Sequence, residues 1–325
     1  KEDLYGITGM TDAGGTRALP PGKQPDPDAF VRVVEKRSDG IVIRGAKGPV
    51  AIAPCHEIIV VPTRGLREGE NDYAVVCAVP ADAPGVKIMV RPRAVDPSPP
   101  INLKTSASEG MVFFDDVFVP WDRVFMCGEY DFAYRLVDLF TIFHRHTCGA
   151  ACKRGFYDLL CGALICAAEA NGLDPFRVGH IRDKLIDLFA LGETSWAHAV
   201  AAVYEGYVTE PGVFIPAPIH ANLAKLHQTR TVQEAYRILM DVASGMPVSI
   251  PTYEDYENPE LKSYVEKYLK RNPEMPTEHT LKIMWLIENL LLSPWAARNL
   301  ILAVHGGGHD QASRVMFLRH VDWGR

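Results

Sequence analysis

From Phe30 to Asp122, apolar and polar positions alternate in short runs, each closed by Gly, Pro or Asp. V-R-V-V-E-K and I-V-I-R-G flank Ser38-Asp39-Gly40, a spacing that predicts a hairpin. E-I-I-V-V-P-T, Y-A-V-V-C-A-V-P, V-K-I-M-V and M-V-F-F-D-D-V-F-V-P continue the pattern. Roughly six short β-branched strands with brief connections predict a sandwich or barrel-like domain. R-A-V-D-P-S-P-P-I-N, between the last two, reads as a loop because proline removes ladder donors. Residues 1–30 are rich in Gly and Pro and are expected to form a loop whose backbone N–H groups could meet a phosphate or a flavin.

After Trp121 the apolar period lengthens to that of helices. D-F-A-Y-R-L-V-D-L-F-T-I-F has the spacing of a core-facing helix. Asp174-Pro175 reads as an N-cap with an N1 proline opening a long amphipathic run. A-N-L-A-K-L-H-Q-T-R-T-V-Q-E-A-Y-R-I-L-M-D-V-A predicts a second long helix, stopped at Ser244-Gly245 by a C′ glycine. L-K-S-Y-V-E-K-Y-L, H-T-L-K-I-M-W-L-I-E-N-L-L-L and Q-A-S-R-V-M-F-L-R-H supply further helices. A β block followed by an antiparallel helical bundle is an α+β arrangement, divided here as 1–122 and 123–325. Long helices with such apolar faces are often buried in an oligomer.

The composition is that of an ordinary globular protein. A net charge of −6 and the lack of any basic run argue against nucleic acid as a partner. No apolar run approaches the ~18 residues of a membrane span, and K-E-D-L-Y-G lacks the order of a signal peptide. Seven cysteines, an odd number in a chain with its own core, fit reduced thiols and a cytoplasmic location.

Chemistry concentrates in F-H-R-H-T-C-G-A-A-C-K-R-G, residues 143–155. If the preceding helix continues, His144, Cys148 and Cys152 recur every four residues on one face, and adjacent pairs could share a metal ion. A regular helix cannot bring all three to one ion, because eight residues rise about 12 Å. Gly149 is the place where the helix could depart from regularity. The alternative is a helix whose thiols only pack. His305-Gly-Gly-Gly-His309 is a weaker candidate for a ligand-contacting loop, and Glu109, just before an apolar strand, is a candidate acid/base. Cys55-His56-Glu57 reads as structural, since neighbours on a strand face opposite ways. No phosphate loop, dinucleotide fingerprint or G-x-S-x-G is present.

Several stretches carry a resemblance to a known family. M-T-D-A-G-G-T-R, D-P-D-A-F-V-R-V-V-E-K-R-S-D-G-I-V-I-R-G-A-K, C-G-E-Y-D-F-A, H-R-H-T-C-G-A-A-C-K-R-G, L-K-S-Y-V-E-K-Y-L-K, P-T-E-H and the final H-G-G-G resemble 4-hydroxybutyryl-CoA dehydratases. More widely, they resemble the flavin-dependent 4-hydroxyphenylacetate 3-hydroxylase family. The resemblance implies an acyl-CoA dehydrogenase-like fold, FAD and a homotetramer. In the dehydratase branch it also implies a [4Fe–4S] cluster held by three Cys and one His, and a reaction through a flavin-supported ketyl radical. Position by position it implies His144 and Cys152 as cluster ligands, Cys148 as a substitute ligand, and Glu109 and Lys153 as catalytic groups. Met10, Thr11, Asp12 and Arg17 match a loop over the flavin, and Ala243, Ser244 and Gly245 a stretch of backbone beside it.

The departures bear on chemistry. The dehydratases' other cluster cysteines lie in a preceding helical domain, so the resemblance implies donors from that domain or another subunit. His144 and Cys152 are eight apart where seven is expected, which implies one inserted residue. Cys148 stands near a tyrosine position, Leu302 at a glutamate position, and Val50 or Ala51 at a flavin-side threonine. The expected function is a flavin-dependent dehydratase or isomerase of a CoA thioester or related acid. A reduced-flavin aromatic monooxygenase, with Arg145, His146 and His305 orienting a phenolate, is the alternative, and a degenerate non-catalytic subunit the third reading.

Overall fold

The computed structural model describes residues 3–51, 55–90 and 109–323; the proline-rich segment 93–102 lies outside them. The fold is α+β, and the chain divides between Leu139 and Phe140 into two compact units.

The first unit holds β1 (Gly6–Gly9), β2 (Arg32–Lys36), β3 (Gly40–Ala51), β4 (Glu57–Val60), β5 (Val75–Pro80), β6 (Val86–Val90), β7 (Glu109–Pro120) and β8 (Val124–Cys127). They form two four-stranded sheets, β1-β4-β5-β8 and β2-β3-β7-β6. Val33, Ile41, Ile43, Val112, Phe114 and Val117 of one sheet share a buried cluster with Ile7, Ile58, Val60, Val75, Cys77 and Val79 of the other. That shared interior is what the alternating runs predict, and it makes the unit a sandwich. β5 departs from alternation because Val76 on its other face packs with Val61, Ala74, Met126 and Ala133. Ala133 belongs to helix α1 (Tyr130–His144), so this unit extends past the last strand residue into the helix. The expectation that residues 1–30 lack regular structure fails at β1, which pairs in parallel with β4 because Ile7 is drawn into the core.

The second unit continues with a π-helical turn (Arg145–Ala151), α2 (Cys152–Ala170) and α3 (Gly179–Tyr204). A short hairpin of β9 (Tyr207–Val208) and β10 (Phe214–Ile215) leads to α4 (Pro218–Ala243). α5 (Tyr253–Glu257), α6 (Lys262–Tyr268), α7 (Thr277–Leu292), α8 (Pro294–His305) and α9 (Asp310–His320) complete it. Leu160, Leu164 and Ala167 of α2 pack with Leu188, Val232, Leu239, Met284, Ile287 and Leu290 in one core. Small residues along α2 and α4, such as Ala168 and Ala235, let the helices approach closely.

Two helix ends differ from expectation. Asp174 caps a turn ahead of α3, accepting from the Phe176 and Arg177 amides, and α3 itself begins at Gly179. At the end of α4 the left-handed residue is Ser244 (φ 57°, ψ −155°), whereas Gly245 has φ −77°. A side chain at such angles is strained by about 1–3 kcal/mol. Ser244→Gly is therefore expected to raise stability by roughly 1 kcal/mol and Ser244→Ala to leave it nearly unchanged, read from denaturant midpoints.

Candidate functional site

In the first unit the Gly/Pro-rich loop is pinned from below. Lys47 of β3 is buried, and its Nζ lies 2.8 Å from Asp12 Oδ1 and donates to the Met10 carbonyl at 3.0 Å. The Asp12 carboxylate also accepts from the Val31 amide at 2.9 Å, and its Oδ2 lies 2.5 Å from the Thr63 hydroxyl. The Gly48 amide donates to the Thr11 carbonyl at 2.7 Å. Burial pulls the Lys47 amine below its ordinary range, and Asp12 opposes that shift. This anchor uses the Asp12 side chain and the Met10 and Thr11 carbonyls, so the side chain of half-buried Thr11 and exposed Arg17 are left outside it. Sequence reasoning named Met10, Thr11, Asp12 and Arg17 but missed Lys47 and Thr63, whose link to the loop spans some fifty residues in the Thr63 case. Glu109 opens β7 opposite Ala51, half-buried.

In the second unit the chemistry-rich stretch is neither a regular helix nor a break at Gly149. Residues Arg145–Ala151 form a π-helix between α1 and α2. A π turn takes up one extra residue without ending the helix. Thr147 helps by donating to the Phe143 carbonyl at 2.9 Å, an alternative to the helical ladder. Gly149 faces α4 closely: a Cβ there would lie 3.4 Å from the Lys225 Cβ.

Arg145, 1% exposed, turns inward from this segment. Its Nε donates to the Gly307 carbonyl at 2.8 Å, and its terminal nitrogen donates to Asn222 Oδ1 of α4. The H-G-G-G loop thus lies against the π turn. Gly307 has φ 73°, and a Cβ on it would stand 3.2 Å from His144 Nδ1, so glycine is required there. Lys225, also 1% exposed, donates to the Ala303 carbonyl at the end of α8 at 2.6 Å. Its amine is pushed down to about 7, first by burial, then by Arg145 and Lys153; Cys148 acts the other way. Burial and the cations Lys225, Arg145 and Lys153 also lower His144, which favours its neutral, ligand-competent form.

Cys148 and Cys152 are exposed free thiols. His144, Cys148, Cys152 and Lys153 therefore belong to one locality together with Gly307 of the H-G-G-G-H loop and with Lys225, which sequence reasoning did not name. Among the described residues no group of three or more His, Cys, Asp or Glu is placed to hold a metal ion. The three expected donors stay separate because the thiols face outward while His144 is turned toward the glycine loop. Their chemistry, a neutral imidazole and two open thiols, fits a partial ligand set for an iron–sulfur cluster. Ala243–Gly245 lies at the far end of α4, eighteen residues beyond Lys225, or about 27 Å along the helix. Arg154 is drawn away from the site by Asp158 and Glu193, the latter at 2.7 Å. His56 accepts from the Tyr5 amide at 3.0 Å and Glu57 pairs with Arg123 at 2.8 Å, in keeping with a structural Cys55–Glu57 stretch.

The profiles described as "4-hydroxyphenylacetate 3-hydroxylase N terminal" and "4-hydroxyphenylacetate 3-hydroxylase C terminal" match residues 1–126 and 133–325. The chain belongs to the 4-hydroxyphenylacetate 3-hydroxylase family. Within it, the chain is 35% identical to the 4-hydroxybutyryl-CoA dehydratase/vinylacetyl-CoA-Delta-isomerase of Clostridium aminobutyricum, over 98% of this chain and 68% of that protein. It superposes with a TM-score of 0.91 and 36% identity on an archaeal 4-hydroxybutyryl-CoA dehydratase from N. maritimus, covering 98% of this chain and 64% of the other. The oxygenase component of 4-hydroxyphenylacetate 3-monooxygenase, in complex with FAD, has the same fold at a TM-score of 0.89 and 24% identity, covering 99% and 68%. The chain thus spans about two thirds of the length of these family members.

Two expectations follow from the buried cations. Lys47→Met leaves the Asp12 carboxylate buried without its ion pair and should cost about 3–5 kcal/mol, most of it recovered in the Asp12→Asn/Lys47→Met double variant, measured by denaturant unfolding. For Lys225, the unfolded chain binds a proton that the folded chain resists, so stability rises as pH climbs from about 7 toward the ordinary lysine range. Lys225→Met should gain most relative to the parent near about pH 6, and less near about pH 9.

Proposed function

We propose that this chain is part of a flavin-dependent dehydratase or isomerase acting on a CoA thioester or a related acid, with FAD as cofactor. His144, Cys148 and Cys152 are its donors toward a [4Fe–4S] cluster completed by ligands from elsewhere. The observation that carries this reading is identity of 35% and 36% to two dehydratases over 98% of the chain. An acyl-CoA dehydrogenase-like arrangement, a homotetramer and a cytoplasmic location go with the same reading. Among the described residues, no helix is long and apolar enough to cross a membrane.

When bound, FAD and the cluster supply one-electron chemistry that makes an unactivated C–H bond acidic. The chain's own residues supply the rest. Glu109 holds and returns the proton at its carboxylate. Lys153 offsets negative charge gathering on the thioester carbonyl oxygen. The loop from Met10 to Arg17, tied down by Asp12 and Lys47, offers Thr11 and Arg17 to the flavin, with backbone at Ala51. Loss of hydroxide from the substrate, with that proton, releases water.

The monooxygenase reading is weaker at these residues. It asks Arg145 and His146 to orient a phenolate, yet Arg145 serves Gly307 and Asn222, and His146 Nε2 lies 3.1 Å from the Ala199 carbonyl. Protein purified without oxygen should contain flavin and about four iron per flavin. Cys152→Ala should lose iron and keep flavin. Flavin without iron would instead favour the monooxygenase, and neither cofactor would favour a subunit that lacks its own catalysis.

A further inference from the structure

Where α3 and α4 pack beside the π turn, they bring two histidines together. His198 Nδ1 lies 3.5 Å from His220 Nδ1, with the rings tilted by 33° at a centroid distance of 5.8 Å. Both are half-buried. The other ring nitrogen of His220, Nε2, lies 3.1 Å from Glu205 Oε2 at the end of α3. A carboxylate only accepts, so Nε2 carries the hydrogen and the neutral ring presents its Nδ1 lone pair toward His198.

We infer that His198 and His220 form a binding site for a divalent transition-metal ion that prefers imidazole nitrogen, Zn2+ foremost. Two nitrogens about 2.0–2.1 Å from one tetrahedral ion stand about 3.3–3.4 Å apart, close to the spacing already present. Glu205 supplies the carboxylate–histidine–metal arrangement that fixes a ligand's tautomer and raises its basicity. His227 turns its Nε2 to the Leu191 carbonyl at 3.1 Å and is not a ligand. Water fills the remaining positions, since among the described residues no third His, Cys, Asp or Glu joins the pair. The ion would clip the last turns of α3 to the first turn of α4 across the β9–β10 hairpin. The site uses none of the residues of the proposed reaction.

The test is a Zn2+ titration against a chromophoric chelator. It uses the Cys148→Ser/Cys152→Ser protein, so that the open thiols do not compete. One Zn2+ per chain is expected. His198→Gln and His220→Gln should each weaken binding at least about tenfold, and Glu205→Gln about 10–100-fold. His227→Gln should leave it unchanged. In Zn2+-soaked crystals of the unaltered protein, an anomalous peak should lie between the two rings. Unchanged affinity in both His198→Gln and His220→Gln, with folded far-UV spectra, or a peak only at the thiols, would overturn the site.

Discussion

The helical unit turns on one buried guanidinium. Arg145 carries a full charge into an interior where its desolvation costs several kcal/mol unless its donors are matched. Two segments far apart in the sequence match them: the Gly307 carbonyl beyond α8 and the Asn222 side chain near the start of α4. Asn222 is held in turn by the Pro218 carbonyl at 2.7 Å. Satisfying Arg145 therefore fixes where the π turn, α4 and the glycine loop lie against one another. His144, the residue before it, inherits its position from that arrangement. Placing Arg145 inward requires a change of phase between α1 and α2, and the π turn provides it.

The same placement sets the electrostatics. Beside burial, Arg145 and Lys153 act on Lys225, and all three cations act on His144, making the proton on each harder to hold. A backbone carbonyl at Ala303 relieves Lys225 only in part, because a dipole offsets less than a carboxylate would. Locally the site is poised for negative charge, although the chain as a whole carries −6. Net charge had spoken only about nucleic acid; the sign that matters here arises from three residues.

Much of the fold was legible from period alone. β3, β5 and β7 were visible because both their faces and their ends are marked, by β-branched residues and by Gly, Pro or Asp. β1 was not, since four residues that begin and end with glycine leave no alternation to read, and only pairing with β4 makes them a strand. Ser244 shows the limit of a good rule: a glycine stood ready to end α4, and the chain places the left-handed angle one residue earlier. The candidate site was half legible. His144, Cys148, Cys152 and Lys153 are neighbours in sequence and stood out by composition. Lys47, Thr63 and Lys225 did not, because a lysine in a strand or helix looks solvated until its partners, tens of residues away, are known.

The two cationic anchors solve different problems with the same residue type. Lys47 meets a carboxylate, and the pair consumes both charges to hold a loop still; nothing is left over for chemistry. Lys225 meets a carbonyl, so its charge is only partly offset and remains available to whatever lies beside Cys148. Stability alone would favour an apolar residue at the second place, since an uncompensated buried amine is costly. The first lysine reads as architecture. The second ties α4 to α8 but, like the strain at Ser244, remains a net cost to the fold, and such costs gather where a protein binds or reacts.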